Sequence, residues 1–261
     1  MLVFDEKEYA EKIISNRHYE TIKSQGKERC ILVRYFTSLG YTNTQIKDEL
    51  RKIPMAGGEF LSDRDKNFIF DKIIKKANEY EYVTGKVVNI YQSELDVIDS
   101  LDDEKMREIL FVYLVYYKWA SQVKHLQFYS KKNEFMMVLE NNIDIWKLSG
   151  VFNLRVASRY EYLNKLFNMG LYRVDNFKSH NYIYIPFAVG EGEVKIVIND
   201  YKNILGEYRL YKHPDKYKRC CICGTVITKT RSPKKYCASC AKKENIRKTQ
   251  ENRRRLKTET K

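Results

Sequence analysis

The chain has 261 residues, of which 43% are hydrophobic and 13% are aromatic, and it carries a formal net charge of +14. This length and composition exclude wholesale disorder and allow about two compact units, because single domains cluster near 100–150 residues. No apolar run approaches the roughly eighteen residues of a membrane span and the first residues are acidic and polar, so we expect a cytoplasmic protein without a membrane partner.

Positive charge is concentrated at the C-terminal end. Residues 211–261 hold 17 Lys and Arg against 4 Asp and Glu, a net charge of +13. Residues 1–210 hold 31 basic and 30 acidic residues, a net charge of +1. A cationic segment on a nearly neutral body favours a polyanionic partner, most often nucleic acid. The alternative is a tail that only improves solubility.

Residues 1–84 are predicted to form a helical N-terminal domain. Apolar spacing predicts a helix over 28–39 that ends at Gly40, and a capping-box sequence starting at Thr42 begins a second helix. These helices and their turn have a helix-turn-helix outline, which would serve either DNA contact or packing. Cys30 lies on an apolar face, so we expect it in the core rather than as a reactive thiol.

Residues 85–210 are predicted to form a second domain. A short strand is expected over 86–91, and a helix over 104–121 is so apolar that it should lie at the centre of this unit. The pattern over 124–143 is helical or mixed. A further strand is predicted over 194–198, followed by a polar link to the cysteines.

The middle of this second domain contains the pattern that bears most on function. A short helix over 144–150 precedes a longer helix over 154–168, and two alternating strands follow at 171–174 and 182–185 around a polar tip. This order resembles the winged-helix family over 104–187. The matching residues are Leu163, Leu166, Gly170 and Leu171. The resemblance implies that the longer helix enters the DNA major groove while the hairpin contacts the backbone or minor groove. Members of that family also serve as protein-interaction modules.

Helical spacing predicts a polar stripe on the longer helix. The residues expected to face inward are Val156, Tyr160, Leu163, Leu166 and Phe167. Arginine pairs with guanine edges and serine with bases or phosphates, mostly from the first turns of such a helix. The DNA contacts predicted on this helix and on the wing are Arg155, Ser158, Arg159, Tyr162, Lys165, Lys178 and His180. A merely solvated helix face is the alternative.

Four of the six cysteines form two Cys-x-x-Cys pairs, separated by thirteen residues. The pairs are Cys220 with Cys223 and Cys237 with Cys240. Each pair can place two sulfurs on one edge of a tetrahedron, which is the geometry of a structural Zn²⁺ site with no open position for catalysis. A shifted register that uses Cys221 makes the first pair too short. Residues 211–240 are therefore predicted to form a zinc ribbon whose folding energy comes mostly from the metal.

Residues 241–261 form a basic tail with too few apolar residues to bury a face. Alone, this tail is predicted to be disordered or marginally helical. Basic residues of the ribbon loop and the tail are predicted to contact nucleic acid. They are Lys229, Arg231, Lys234, Lys235, Arg253, Arg254 and Arg255.

Catalysis has little support, because the chain has no nucleophile motif and no phosphate-binding glycine loop. Glu193-Val194-Lys195, with Asp175 and Asp200, is similar to the acidic-x-Lys signature of metal-dependent nucleases. The many tyrosines are compatible with a recombinase, but the accompanying Arg-His-x-x-Arg set is missing. We therefore expect a non-enzymatic protein, with a metal-dependent nuclease as the alternative.

The expected fold is mostly α (α+β): a helical N-terminal domain, a winged helix-turn-helix domain, and a small zinc ribbon with a basic tail. This combination resembles DNA-binding proteins of bacteriophages and mobile elements, in a bacterial cell or a phage-infected host. The leading hypothesis is a duplex DNA-binding protein in replication initiation, transcription regulation or an accessory role in recombination. The alternatives are a protein-interaction module that recruits or blocks replication or recombination enzymes, and an RNA-binding protein.

Overall fold

The computed structural model describes residues 3–20, 25–55, 60–129, 135–139, 142–177, 180–230 and 234–259. Within those ranges the chain is mostly helical, with three small antiparallel sheets, which confirms the predicted mostly α class. None of the helices in the described ranges is both long enough and apolar enough to cross a membrane.

Helices near the N-terminus enclose a first core. They are α1 (Glu6–Asn16), α2 (Gln25–Ser38), α3 (Asn43–Arg51) and α4 (Asp63–Ala77). The predicted turn is confirmed, since Gly40 has a φ of 82° and Thr42 begins α3. The Thr42 hydroxyl accepts from the Gln45 N–H at 3.4 Å, and the Gln45 side chain accepts from the Thr42 N–H at 2.8 Å. Cys30 is buried in this core, as predicted.

A second core surrounds α6 (Glu104–Ala120), in which every residue from Glu108 to Tyr117 is buried. This confirms the prediction that the most apolar helix occupies the centre. Two antiparallel strands, β1 (Val88–Tyr91) and β6 (Val194–Ile198), and the helix α5 (Gln92–Asp99) pack around it. Phe4 joins this core as well, with its ring stacked on Tyr201 at a centroid distance of 4.5 Å.

The predicted polar link after β6 is wrong over residues 204–212. These residues form the helix α9 (Ile204–Lys212), which buries Ile204, Leu205 and Tyr208 against α6. The Tyr208 ring stacks on Phe111 with centroids 4.6 Å apart. Residues 204–212 are therefore helical because their apolar side is buried against α6. Short helices generally depend on tertiary packing in this way.

A four-stranded antiparallel sheet has the strand order β2–β3–β5–β4 and contributes Ile183 to the second core. Its strands are β2 (Gln127–Tyr129), β3 (Phe135–Leu139), β4 (Arg173–Phe177) and β5 (His180–Tyr184). The predicted hairpin is present, and its ladder extends to the pair Phe177↔His180. The helical or mixed prediction for 124–143 misses β2 and β3, whose pairing partner β5 is distant in sequence.

Two helices lie between β3 and β4. They are α7 (Asn142–Leu148) and α8 (Val156–Asn168). The predicted inward face of α8 is partly wrong: Leu163 and Leu166 are buried, whereas Val156, Tyr160 and Phe167 are 55%, 47% and 50% exposed. The buried face of α8 consists of Arg159, Leu163 and Leu166, so it is rotated from the predicted face toward Arg159.

Candidate metal centre and nucleic-acid interface

The cysteines lie where a small hairpin meets the last helix. The strands β7 (Tyr217–Arg219) and β8 (Val226–Thr228) pair antiparallel, and the first cysteine pair occupies their turn. Cys220 N–H donates to the Thr225 carbonyl at 2.9 Å, and Gly224 N–H donates to the Cys220 carbonyl at 3.0 Å. Gly224 has a φ of 73°, a conformation that favours glycine and lets the turn present both sulfurs.

The sulfurs of the two pairs converge. All four Sγ atoms lie within 4.8 Å of one another, and Cys223 Sγ is 3.7 Å from Cys237 Sγ. Four ligands at the usual Zn–S distance of about 2.3 Å stand roughly 3.8 Å apart in a tetrahedron. Cys220, Cys223, Cys237 and Cys240 can therefore hold one metal ion, as predicted. In the part of the chain that the structure describes, no other group of three His, Cys, Asp or Glu residues is arranged to do so, and Cys221 lies outside the cluster.

Hydrogen bonds lower the pKa of Cys220 and Cys223 and raise that of Cys240. Backbone N–H groups, first that of Cys223 and then that of Cys237, lower the pKa of Cys220 to about 6. The Thr225 hydroxyl, 3.3 Å from Cys223 Sγ, lowers the pKa of Cys223. Hydrogen bonds with Cys223 and Cys237 raise the pKa of Cys240 to about 12. Four adjacent thiols do not all ionise without a central positive charge, and a metal ion supplies that charge. Sequence reasoning missed Thr225.

The last helix, α10 (Ala238–Glu259), begins inside the second cysteine pair. Cys240 N–H donates to Cys237 Sγ at 3.4 Å and Ala241 N–H to the Cys237 carbonyl at 2.9 Å, so Cys237 acts as the helix N-cap. Arg247 pairs with Glu244 and Glu251 along the helix. The tail predicted to be disordered or marginally helical when alone is helical here to Glu259. Fixing the first turn removes most of the nucleation cost of such a helix.

An ion pair connects the hairpin to the second core through α9. Arg219 donates from both terminal nitrogens to the Glu207 carboxylate, at 2.7 and 2.6 Å. Two residues further along α9, Arg209 pairs at 2.6 Å with Glu108, which is buried in α6. Bidentate arginine–carboxylate pairs fix orientation as well as distance. The helix that the sequence did not predict is therefore the support of the cysteine cluster.

The predicted nucleic-acid contacts other than Arg159 fall into four groups. Four of them have exposed side chains with no ion pair or side-chain hydrogen bond in the described ranges: Arg155, Lys234, Lys235 and Arg253. Lys165 is exposed but pairs with Glu161 at 2.9 Å, and Lys229 Nζ donates to the Pro214 carbonyl at 2.7 Å. Ser158 and Tyr162 are half-buried on α8. Lys178 and Arg231 lie outside the described residues, as do the side chains of His180, Arg254 and Arg255.

Arg159 is not on the exposed stripe, which corrects its predicted position. Its side chain is only 8% exposed, and its Cζ lies 4.4 Å from the Trp146 ring centroid and 5.5 Å from that of Phe152. Among the described residues no carboxylate pairs with it, and the stacked rings stabilise its charge instead. Lys147 Nζ lies 5.4 Å from the same Phe152 ring and is an exposed cation that sequence reasoning missed, since helical spacing was applied to α8 alone.

Replacing Arg159 by alanine is expected to lower the free energy of unfolding by about 2 kcal/mol or more, because a desolvated cation–π contact and its packing are lost. Thermal unfolding followed by circular dichroism measures the change. Arg155→Ala, on the same helix but exposed, is the matched control and should change stability by less than about 0.5 kcal/mol. Equal melting temperatures for the two variants would show that the Trp146 contact contributes nothing.

The alternative acidic site is not assembled in the part of the chain that the structure describes. Glu193 pairs with Lys195 at 2.6 Å, and Asp200 accepts from the Lys202 N–H at 3.0 Å to begin a 3-10 turn. Asp175 belongs to β4, in another sheet, and its side chain lies outside the described residues. The two described carboxylates therefore have other partners.

Comparison with known proteins yields no relative. No family model, no curated protein and no solved structure matches the chain. Functional inference accordingly rests on the cysteine cluster, the charge distribution and the arrangement of elements around α8.

Proposed function

We propose that this protein binds duplex DNA without catalysing a reaction on it, through a winged-helix unit and a basic tail attached to a zinc ribbon. The order of elements around α8 carries the proposal. The helix pair α7–α8 is followed at once by the hairpin β4–β5, and β3 joins that hairpin by pairing with β5. A helix pair followed directly by a two-stranded hairpin is the order of elements on which the winged-helix resemblance rests.

Charge supports the same proposal. The net charge of +13 over 211–261 includes exposed basic side chains beside the cysteine cluster, such as Lys234 and Lys235, and others along α10. Phosphate contacts of this kind give affinity without sequence information. In this division of labour α8 and the wing supply sequence preference, while the tail supplies binding strength. The biological role would be replication initiation, transcription regulation or an accessory role in recombination.

Zn²⁺ is the metal we propose for the cysteine cluster. Four thiolates with no open position match the structural zinc sites of small ribbons and leave no place for a reacting water. The ion would neutralise the sulfurs and fix the first turn of α10. Metal analysis of protein purified without added metal is expected to find one equivalent of zinc.

A salt series of duplex binding tests the DNA proposal. If about six phosphates are neutralised, affinity should fall roughly a thousandfold between 50 and 200 mM salt. Arg155→Ala, at the start of α8, should relax the preference found by selection from a random duplex pool. Arg253→Ala should weaken binding to all sequences alike, and Lys12→Ala, an exposed cation on α1, should have no effect.

A flat salt response would contradict duplex binding altogether. Identical, uniform losses for Arg155→Ala and Arg253→Ala would instead contradict the separation between a reading helix and a binding tail. Competition by structured RNA stronger than by duplex DNA would favour the RNA-binding alternative.

A second function is favoured by one observation. Val156, Tyr160 and Phe167 lie on one side of α8 and are about half exposed. An exposed apolar stripe is a feature of protein-interaction surfaces. The partner would be a replication or recombination protein that the chain recruits or blocks. Phe167→Ser should then abolish capture of that partner at high salt while leaving duplex affinity unchanged.

A further inference from the structure

A cavity of about 400 Å³ opens beside the second core, away from α8 and the cysteine cluster. Its walls are β1, the C-terminal end of α6 and the segment 184–189. Its lining includes three tyrosines, Tyr91, Tyr117 and Tyr184, and polar side chains among which are Asn89, Lys118 and Gln122. The size is within the usual range of small-ligand sites, about 300–1,000 Å³.

The lysine in this cavity is already neutralised. Lys118 Nζ lies 2.6 Å from Glu94 Oε1 and 4.5 Å from the Tyr91 ring centroid. Glu94 is fully buried, and its other oxygen accepts from the Tyr91 N–H at 2.9 Å. A cation paired in this way does not select a phosphate, because the pair contributes no net charge. The second cation near the cavity is Arg173, whose Cζ lies 4.3 Å from the Tyr184 ring centroid and covers one face of that ring, so a ligand would have to use the other face.

The shape of the cavity is fixed by close packing of the chain after β5. A Cβ atom on Gly190 would lie 2.5 Å from the Glu94 carboxyl carbon and 2.6 Å from a Tyr91 ring carbon. Only glycine lets this segment close over the buried pair. Gln122 is also held, since its Nε2 donates to the Val87 carbonyl at 2.9 Å. Its amide oxygen is thereby left to accept from a ligand.

We infer that this cavity binds a planar heteroaromatic ring of nucleobase size, stacked on the tyrosines with its polar edge against Asn89 and Gln122. Stacking on aromatic side chains accommodates any base, because every base has a π-face. Amide side chains hydrogen-bond both donors and acceptors on a base edge. The base belongs either to a free nucleoside or to an unpaired position in a nucleic acid. The inference does not rest on duplex binding, since α8 and the tail contribute nothing to the cavity.

Fluorescence of 2-aminopurine, which falls when the base stacks, tests the inference on the full-length protein. The free 2-aminopurine riboside is titrated in one arm, and a single-stranded thymidine oligonucleotide with one 2-aminopurine in the other. Tyr184→Leu should weaken binding by roughly tenfold or more. Asn89→Ala, which alters an exposed side chain and so leaves the fold intact, should also weaken it. Tyr41→Leu, an exposed tyrosine on the first core, is the matched control.

Binding of the riboside identifies a nucleoside site, and binding of the oligonucleotide alone identifies a site for an unpaired base; both support the inference. Absence of quenching in both arms would overturn it. So would equal affinities for wild type, Tyr184→Leu and Asn89→Ala, or displacement of the probe by ribose 5-phosphate, because recognition would then not involve the ring. Loss of duplex binding with the riboside still bound would count against the proposed function alone.

Discussion

Removal of the proposed zinc ion is expected to unfold the region from β7 to the end of α10 and to leave both helical cores folded. Among the described residues of this region, the buried ones are Cys220, Ile227 and Cys240, which form one small cluster. So small a cluster cannot offset the chain entropy of about forty residues, whereas structural zinc contributes about 10 kcal/mol or more. Far-UV circular dichroism during chelation should lose the signal of the 22 helical residues of α10.

Cys240→Ser should reproduce the effect of chelation, because it removes a buried ligand. Cys221→Ser is the matched control: this cysteine is exposed, lies outside the cluster, and should tolerate the change. Near-UV signals of Trp119 and Trp146, both in the second core, should persist. Unchanged helicity after chelation and in Cys240→Ser would show that α10 does not depend on the metal. Under the proposed function, the same treatments should weaken duplex binding to all sequences.

Arg209→Met is expected to lower the free energy of unfolding by about 3 kcal/mol, because it removes one of the two basic partners of the Glu108 carboxylate, which is 1% exposed. Lys105, at 2.6 Å from the other oxygen, remains and limits the loss. Thermal unfolding of the second core, followed by near-UV circular dichroism, measures the effect. Because α9 also holds Arg219 through Glu207, the hairpin beside the cysteines should lose order in the same variant.

Lys212→Met provides the matched control on α9. Lys212 pairs with Asp99 at 2.8 Å, but both side chains are about a quarter exposed, so the loss should stay below about 1 kcal/mol. Combining Arg209→Met with Glu108→Leu should recover most of the stability, since the unpaired buried charge is removed. If Arg209→Met and Lys212→Met destabilise equally, burial of Glu108 does not determine the strength of its ion pair.

Local signals in the sequence predicted local structure well. The capping box at Thr42, the left-handed Gly40 and the apolar run of α6 each depend on residues close together in the chain, and all three are present. The cysteine pairs belong to the same class, because each Cys-x-x-Cys turn places two sulfurs without help from distant residues. The residues of the metal cluster could therefore be predicted from the spacing of the cysteines in the sequence alone.

Features that depend on distant partners were missed. Periodicity treats every arginine as outward-facing, but Trp146 on the preceding helix draws Arg159 into the buried face of α8 and leaves Val156 exposed. The strand β3 is defined by pairing with β5, more than forty residues away. The charged sequence of α9 does not by itself indicate a helix, and its apolar side is buried only through packing against α6.

The length of α10 has a consequence for reach. At about 1.5 Å per residue, its 22 residues form a rod of about 33 Å, nearly one turn of B-form DNA. A flexible tail of equal charge could wrap around a duplex and follow its phosphates. A rod anchored at one end by Cys237 and Cys240 instead keeps its backbone on one axis, and so carries charge to a defined distance from the cysteine cluster.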